Sequence, residues 1–190
     1  MTASAPDIPL LRHAFFFLRH GETEANLRRV VAGSRDVPLT KIGHEQARAA
    51  AAALKSCGIT AIYSSALQRA RDTADYVARE LGLPVRVVLE LSERNWGVLE
   101  GKPRESRLPG ITPQGAETPE AFARRVHAGL ARIGEGVPLI VAHAGVFRVL
   151  CTALGIPESA EPVSNAHPIR CVPPGDTRAA WRLEPLEMKR

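Results

Sequence analysis

The run Ala14-Phe15-Phe16-Phe17-Leu18 constrains the fold of this chain more than any other stretch, because it ends abruptly at Arg19-His20-Gly21-Glu22-Thr23. A segment so apolar and so short predicts a strand buried on both faces of a parallel sheet. Val137-Pro138-Leu139-Ile140-Val141-Ala142 has the same character and ends in His143-Ala144-Gly145. Between them, Ala61-Ile62-Tyr63 runs through Ser64-Ser65-Ala66-Leu67-Gln68 to Arg69, again a strand end passing into a helix. In open α/β sheets, ligands bind beyond the carboxyl ends of the strands. These strand ends therefore carry Arg19 with His20, Arg69 and His143 toward one edge of a sheet. Guanidinium groups gathered there match the oxygens of a phosphate dianion in paired geometry.

The rest of the chain alternates strand and helix, the pattern of an α/β fold with helices on both sheet faces. Thr40 caps a helix running to about Ser56, with Ala47, Ala50, Ala51 and Leu54 as its apolar stripe. A second helix, Leu67 to Leu81, buries Ala70, Ala74, Val77 and Leu81 and stops at Gly82. Val85 to Leu89 reads as a third strand. Thr118 caps a helix with Pro119 in its first turn, and Phe122, Val126, Leu130 and Ile133 line its buried face. Gly145 to Leu154 reads as a helix, and Ile169 to Val172 with Ala179 to Leu183 as a closing hairpin. Residues 92–117, rich in proline, glycine and charge, read as a lid over the site.

A chain of 190 residues fits one domain, here expected over 13–190 behind a disordered tail at 1–12. The formal charge of +5 can steer anionic substrates. No block of like charge and no basic-aromatic interleaving points to nucleic acid, and no stretch is long enough to span a bilayer. Cys57, Cys151 and Cys171 are odd in number and lack paired spacing, which predicts reduced thiols and a cytoplasmic protein. Cys151 reads as a small core residue. His13, His44 and His127 read as surface or satisfied-core histidines, and His167 stays unassigned. No His/Cys/Asp set has metal-ligand spacing, so neither metal nor cofactor is expected.

Taken together, Leu18-Arg19-His20-Gly21-Glu22-Thr23 with Asn26 resembles the signature of the histidine phosphatase superfamily, the phosphoglycerate mutase-like fold. Asp36-Val37-Pro38-Leu39-Thr40, Ser65 through Ala74, Leu91-Ser92-Glu93-Arg94-Asn95-Trp96-Gly97 and Ala142-His143-Ala144-Gly145 follow in family order and spacing. The resemblance covers Phe15 to about Leu183. It implies a three-layer α/β/α sandwich around a mostly parallel sheet. It also implies His20 as nucleophile through a phosphohistidine. Arg19, Arg69 and His143 would then hold the phosphoryl oxygens, Asn26 would add a hydrogen bond, and Glu93 would be the general acid/base. Glu22 reads as a brace for the loop after His20. Gln114-Gly115-Ala116-Glu117-Thr118 resembles a segment that shapes the substrate side, which makes Glu117 a substrate-binding candidate. Arg104 and Arg107 in the lid read either as contacts to an anionic substrate or, the preferred reading, as solvated charges, and Ala32 replaces a glutamine that many relatives carry.

About two dozen residues separate Glu93 from Thr118, so the lid is short and water should reach the intermediate. The resemblance therefore implies a phosphomonoesterase acting on small phosphorylated metabolites as a monomer or homodimer. A cofactor-dependent phosphoglycerate mutase and a phosphoprotein (phosphohistidine) phosphatase are the alternatives. Because all the core residues are present, an inactive scaffold is disfavoured.

Overall fold

A computed structural model describes residues 8–157, 163–175 and 180–188. Six strands, β1 (Phe15–Arg19), β2 (Ala61–Ser64), β3 (Val85–Val87), β4 (Pro138–Ala142), β5 (Ile169–Val172) and β6 (Arg182–Pro185), form one sheet in the order β3-β2-β4-β1-β5-β6. The four on the β3 side run parallel, whereas β5 and β6 are antiparallel additions. The two most apolar runs of the sequence are adjacent, with Arg19 opposite Ala142. That register brings the two histidine-bearing strand ends side by side.

Alternation along the central strands divides the core. Phe16, Leu18, Ile62, Leu139 and Val141 face α2 (Lys41–Leu54) and α3 (Gln68–Leu81), while Phe15, Phe17, Tyr63, Ile140 and Ala142 face α4 (Pro119–Leu130) and α5 (Ala144–Ala153). Each fully buried large side chain contributes about 1.5–3 kcal/mol relative to exposure, so both layers are needed to hold so apolar a strand. Thr40 accepts from the Gly43 amide and Thr118 from the Ala121 amide, with Pro119 in the first turn as expected. A left-handed Gly82 ends α3.

Three boundaries differ from expectation. The third strand stops at Val87, and Leu89–Leu91 turn as a 3-10 helix that buries Leu91 and brings Glu93 round to the sheet edge. In the closing hairpin the second strand lies three residues further along, at Arg182–Pro185; Ala179 falls outside the described residues. The tail expected over 1–12 is corrected in its second part: Pro9–Arg12 form a 3-10 turn, and Ile8 and Leu10 are buried in the core because both are apolar and meet it. Residues 1–7 lie outside the described residues. Among the described residues no helix is long and apolar enough to cross a membrane.

Candidate active site

His20 follows β1 directly, and its amide donates to Ala142 O of β4 at 3.0 Å. The loop then turns tightly against α2 and α3. The Gly21 amide donates to Thr73 Oγ1 at 3.0 Å, and a Cβ on Gly21 would run into the Gly43 carbonyl. Glu22 is the brace the sequence implies: its backbone oxygen accepts from Thr40 N and its carboxylate from Thr40 Oγ1. Within the cap of α1 (Glu24–Leu27), Asn26 Oδ1 accepts from Thr23 and from Asn165 Nδ2. Only the Nδ2 donors of Asn26 remain for the cavity it lines.

The His20 ring is 2.7 Å from Gly21 O through Nδ1. A carbonyl only accepts, so Nδ1 carries the ring proton and Nε2 keeps its lone pair. Burial, then the charges of Arg69 and Arg19, push the imidazole well below its ordinary pKa. His20 is thus held neutral, with Nε2 as its unprotonated nitrogen.

Three buried donors beside it have no hydrogen-bond partner among the described residues: Arg19 Nε, Arg69 Nε and His143 Nδ1. Each side chain is fixed by its other atoms. Arg19 donates to Val163 O at 2.9 Å, and Arg69, 1 % exposed, donates to Gly33 O and Arg35 O at 2.8 Å each. His143 Nε2 lies 2.7 Å from Ser65 Oγ, which accepts from Leu67 N and so has its own hydrogen to give to the ring. With Ser65 as the donor to Nε2, Nδ1 of His143 carries the ring proton. Its ring sits 5.2 Å from that of His20 and is fully buried. Burial, then Arg69, lowers its pKa too, and burial lowers that of Arg19 to about 10. A buried donor left unmade costs about 1–3 kcal/mol, so three in one place mark a site shaped for acceptor oxygens.

Glu93 lines the same cavity. One carboxylate oxygen accepts from Arg94 N at 2.9 Å and the other from Gly145 N, in the first turn of α5, at 3.0 Å. A Cβ on Gly145 would collide with that carboxylate, so the glycine is what allows the approach.

Glu117 corrects its expected role. It does not line the cavity; both its oxygens are taken by Arg125 of α4, at 2.9 and 2.8 Å. Arg125 in turn donates to the carbonyls of Glu90, Ser92 and Glu93. The segment therefore supports the loop that carries Glu93 rather than the substrate. Arg104 and Arg107, for which solvent was the preferred of two readings, both line the cavity because residues 92–117 fold back: Val30 bridges Pro103 and Arg104 N donates to Arg29 O. His167 does not line it. Cys151 is a buried core thiol, raised to about 11 by burial.

Sequence reasoning missed Arg125, Asn165 and Arg148. Arg125 on a helix face carried no signal. Asn165, which donates to His20 O at 2.8 Å, sits in a turn with no motif. Arg148 was within reach, since it lies one helical turn beyond Ala144, on the face that Ala144 turns to the cavity.

Residues 15–167 match the profile of the histidine phosphatase superfamily (branch 1). An "uncharacterized phosphatase PhoE" of Bacillus subtilis is 35% identical over 154 residues, 76% of this chain and 80% of that one. A "probable phosphoglycerate mutase GpmB" of Yersinia enterocolitica is 37% identical over 166 residues, 77% of each. A mycobacterial glucosyl-3-phosphoglycerate phosphatase superposes with a TM-score of 0.77 at 26% identity, covering 93% of this chain and 99% of that one. A putative α-ribazole-5'-phosphate phosphatase from Escherichia coli gives the same TM-score and identity over 92% and 96%. Sequence, sheet order and the paired histidines agree, and the chain belongs to the histidine phosphatase superfamily, in its branch 1.

Proposed function

We propose that the protein is a phosphomonoesterase that cleaves small phosphorylated metabolites through a phosphohistidine on His20. The observation that carries this reading is the set of three unpartnered buried donors, from Arg19, Arg69 and His143, beside a neutral histidine. In the first step Nε2 of His20 attacks phosphorus, the P–O bond to the alcohol breaks, and protonated Glu93 gives its proton to the leaving oxygen. In the second, Glu93 takes a proton from water as that water attacks the phosphohistidine. Inorganic phosphate leaves and His20 is restored. The two guanidiniums, the His143 N–H and Asn26 stabilise the charge on the three non-bridging oxygens. Because cationic side chains supply that charge, turnover requires no metal.

A mutase reading draws on the relatives named GpmB. The short lid favours water as the acceptor. The phosphoprotein reading is weakened by the position of His20, 5 % exposed at a cavity of about 350 Å³, which suits a metabolite. Buried free thiols at Cys151 and Cys171 suit a reducing cytoplasm. The test is phosphate release from small phosphomonoesters in EDTA, beside a mutase assay primed with 2,3-bisphosphoglycerate. Hydrolysis that survives EDTA, with negligible mutase turnover, is expected. Activity restored only by added metal would overturn metal independence, and fast mutase turnover with little hydrolysis would overturn the phosphatase reading.

A further inference from the structure

Six arginines line the cavity against one carboxylate, Glu93. Arg19 and Arg69 are accounted for by the phosphoryl group, and Arg94, Arg104, Arg107 and Arg148 are not. The ion pairs among the described residues involve none of these four. Arg94 and Arg107 flank the ring of Trp96, with guanidinium carbons 4.2 and 5.1 Å from its centre. That stacking fixes both planes in place at low entropic cost. Arg94 donates through Nε to Glu117 O, while its Nη2 is buried without a partner. Arg107 donates only to the backbone of Arg104, and Arg104 makes one long contact to Val30 O, at 3.5 Å. Arg148 reaches the same wall from α5. Burial first, then the charges of Arg148 and Arg104, lower the pKa of Arg107, so these cations repel one another across a short space.

A phosphoryl group brings at most two negative charges to a cavity lined by six guanidiniums and one carboxylate. We propose that Arg94, Arg104, Arg107 and Arg148 form a second anion subsite, and that the substrate's alcohol carries a further carboxylate or phosphate. This rests on the phosphatase reading for the orientation of the ester. A free sugar alcohol or an aromatic alcohol would leave four guanidiniums crowded and unmatched. An anionic group placed among them gains charge-assisted hydrogen bonds to already positioned donors. Trp96 lines the same cavity and holds two of these guanidiniums.

The test compares matched pairs: 3-phosphoglycerate against glycerol 3-phosphate for a carboxylate, and fructose 1,6-bisphosphate against fructose 6-phosphate for a phosphate. In at least one pair the doubly anionic member should show a kcat/KM higher by roughly ten- to a hundredfold. The preference should shrink with added salt, and R104Q/R107Q/R148Q should bring the ratio close to one, acting mainly through KM. Calorimetric binding of the same four compounds to His20→Ala repeats the comparison without catalysis. A preference in binding with no turnover of the wild type would uphold the subsite and sink the phosphatase reading. Equal constants within each pair, in turnover and in binding alike, would overturn the subsite.

Discussion

His20 and His143 are buried imidazoles beside Arg69, and each is held below its ordinary pKa, first by burial and then by that cation. An unfolded chain takes up protons on both below about pH 6.5, whereas the folded chain does not. Stability is therefore complete above that pH and is lost as pH falls toward the depressed folded values, by up to about 1.4 kcal/mol per pH unit for each ring. Urea midpoints measured without phosphate should drop between about pH 7 and pH 5.5, and His20→Asn should flatten the drop. An unchanged midpoint would mean that neither ring is held neutral. At Gly145 the geometry is as specific: an added methyl meets the Glu93 carboxylate. Gly145→Ala should fold normally by thermal melting yet lose roughly a hundredfold in kcat/KM toward alkyl phosphates, and near-wild-type turnover would contradict the role given to Glu93. Arg19, His20, Arg69 and His143 were legible as site candidates because each lies at or shortly after a strand end, whereas Glu93 and Asn26 came from the resemblance alone. The pairing of Glu117 with Arg125 was not legible because Arg125 lies on a helix face, where an arginine looks like any solvated charge.

At the scale of elements, α4 acts as a bracket for the loop carrying Glu93. Its Arg125 is paired with Glu117 at 2.8 Å and bonds three loop carbonyls. Glu117→Gln keeps the contact and weakens the pair. It should lower turnover of alkyl phosphates roughly tenfold more than that of p-nitrophenyl phosphate, whose leaving group needs no proton. Equal losses on the two esters would make the bracket merely structural. The helices themselves were readable from period and caps, since Thr40, Pro119 and Gly82 act locally. The third strand was read too long because Val88 and Leu89 look like strand residues, while burial of Leu91 turns the chain inward two residues earlier.

For the whole molecule, the decisive fact is that β1 and β4, distant in sequence, are neighbours with Arg19 opposite Ala142. Strand types were visible as short apolar runs. The order β3-β2-β4-β1-β5-β6 depends on long-range pairing that periodicity does not show, and the resemblance implied only a mostly parallel sheet. The same assembly puts cations from the lid and from α5 around one cavity, a convergence that separate surface arginines conceal in the sequence. What the architecture serves, on this reading, is transfer of the phosphoryl group to one nitrogen. The most direct measurement is a rapid alkaline quench of the enzyme with a phosphoryl-labelled ester, followed by peptide mapping. An acid-labile, base-stable label on the peptide containing His20, absent in His20→Ala together with phosphate release, is the predicted result. Phosphate release that persists in His20→Ala, with no labelled peptide in the wild type, would contradict it.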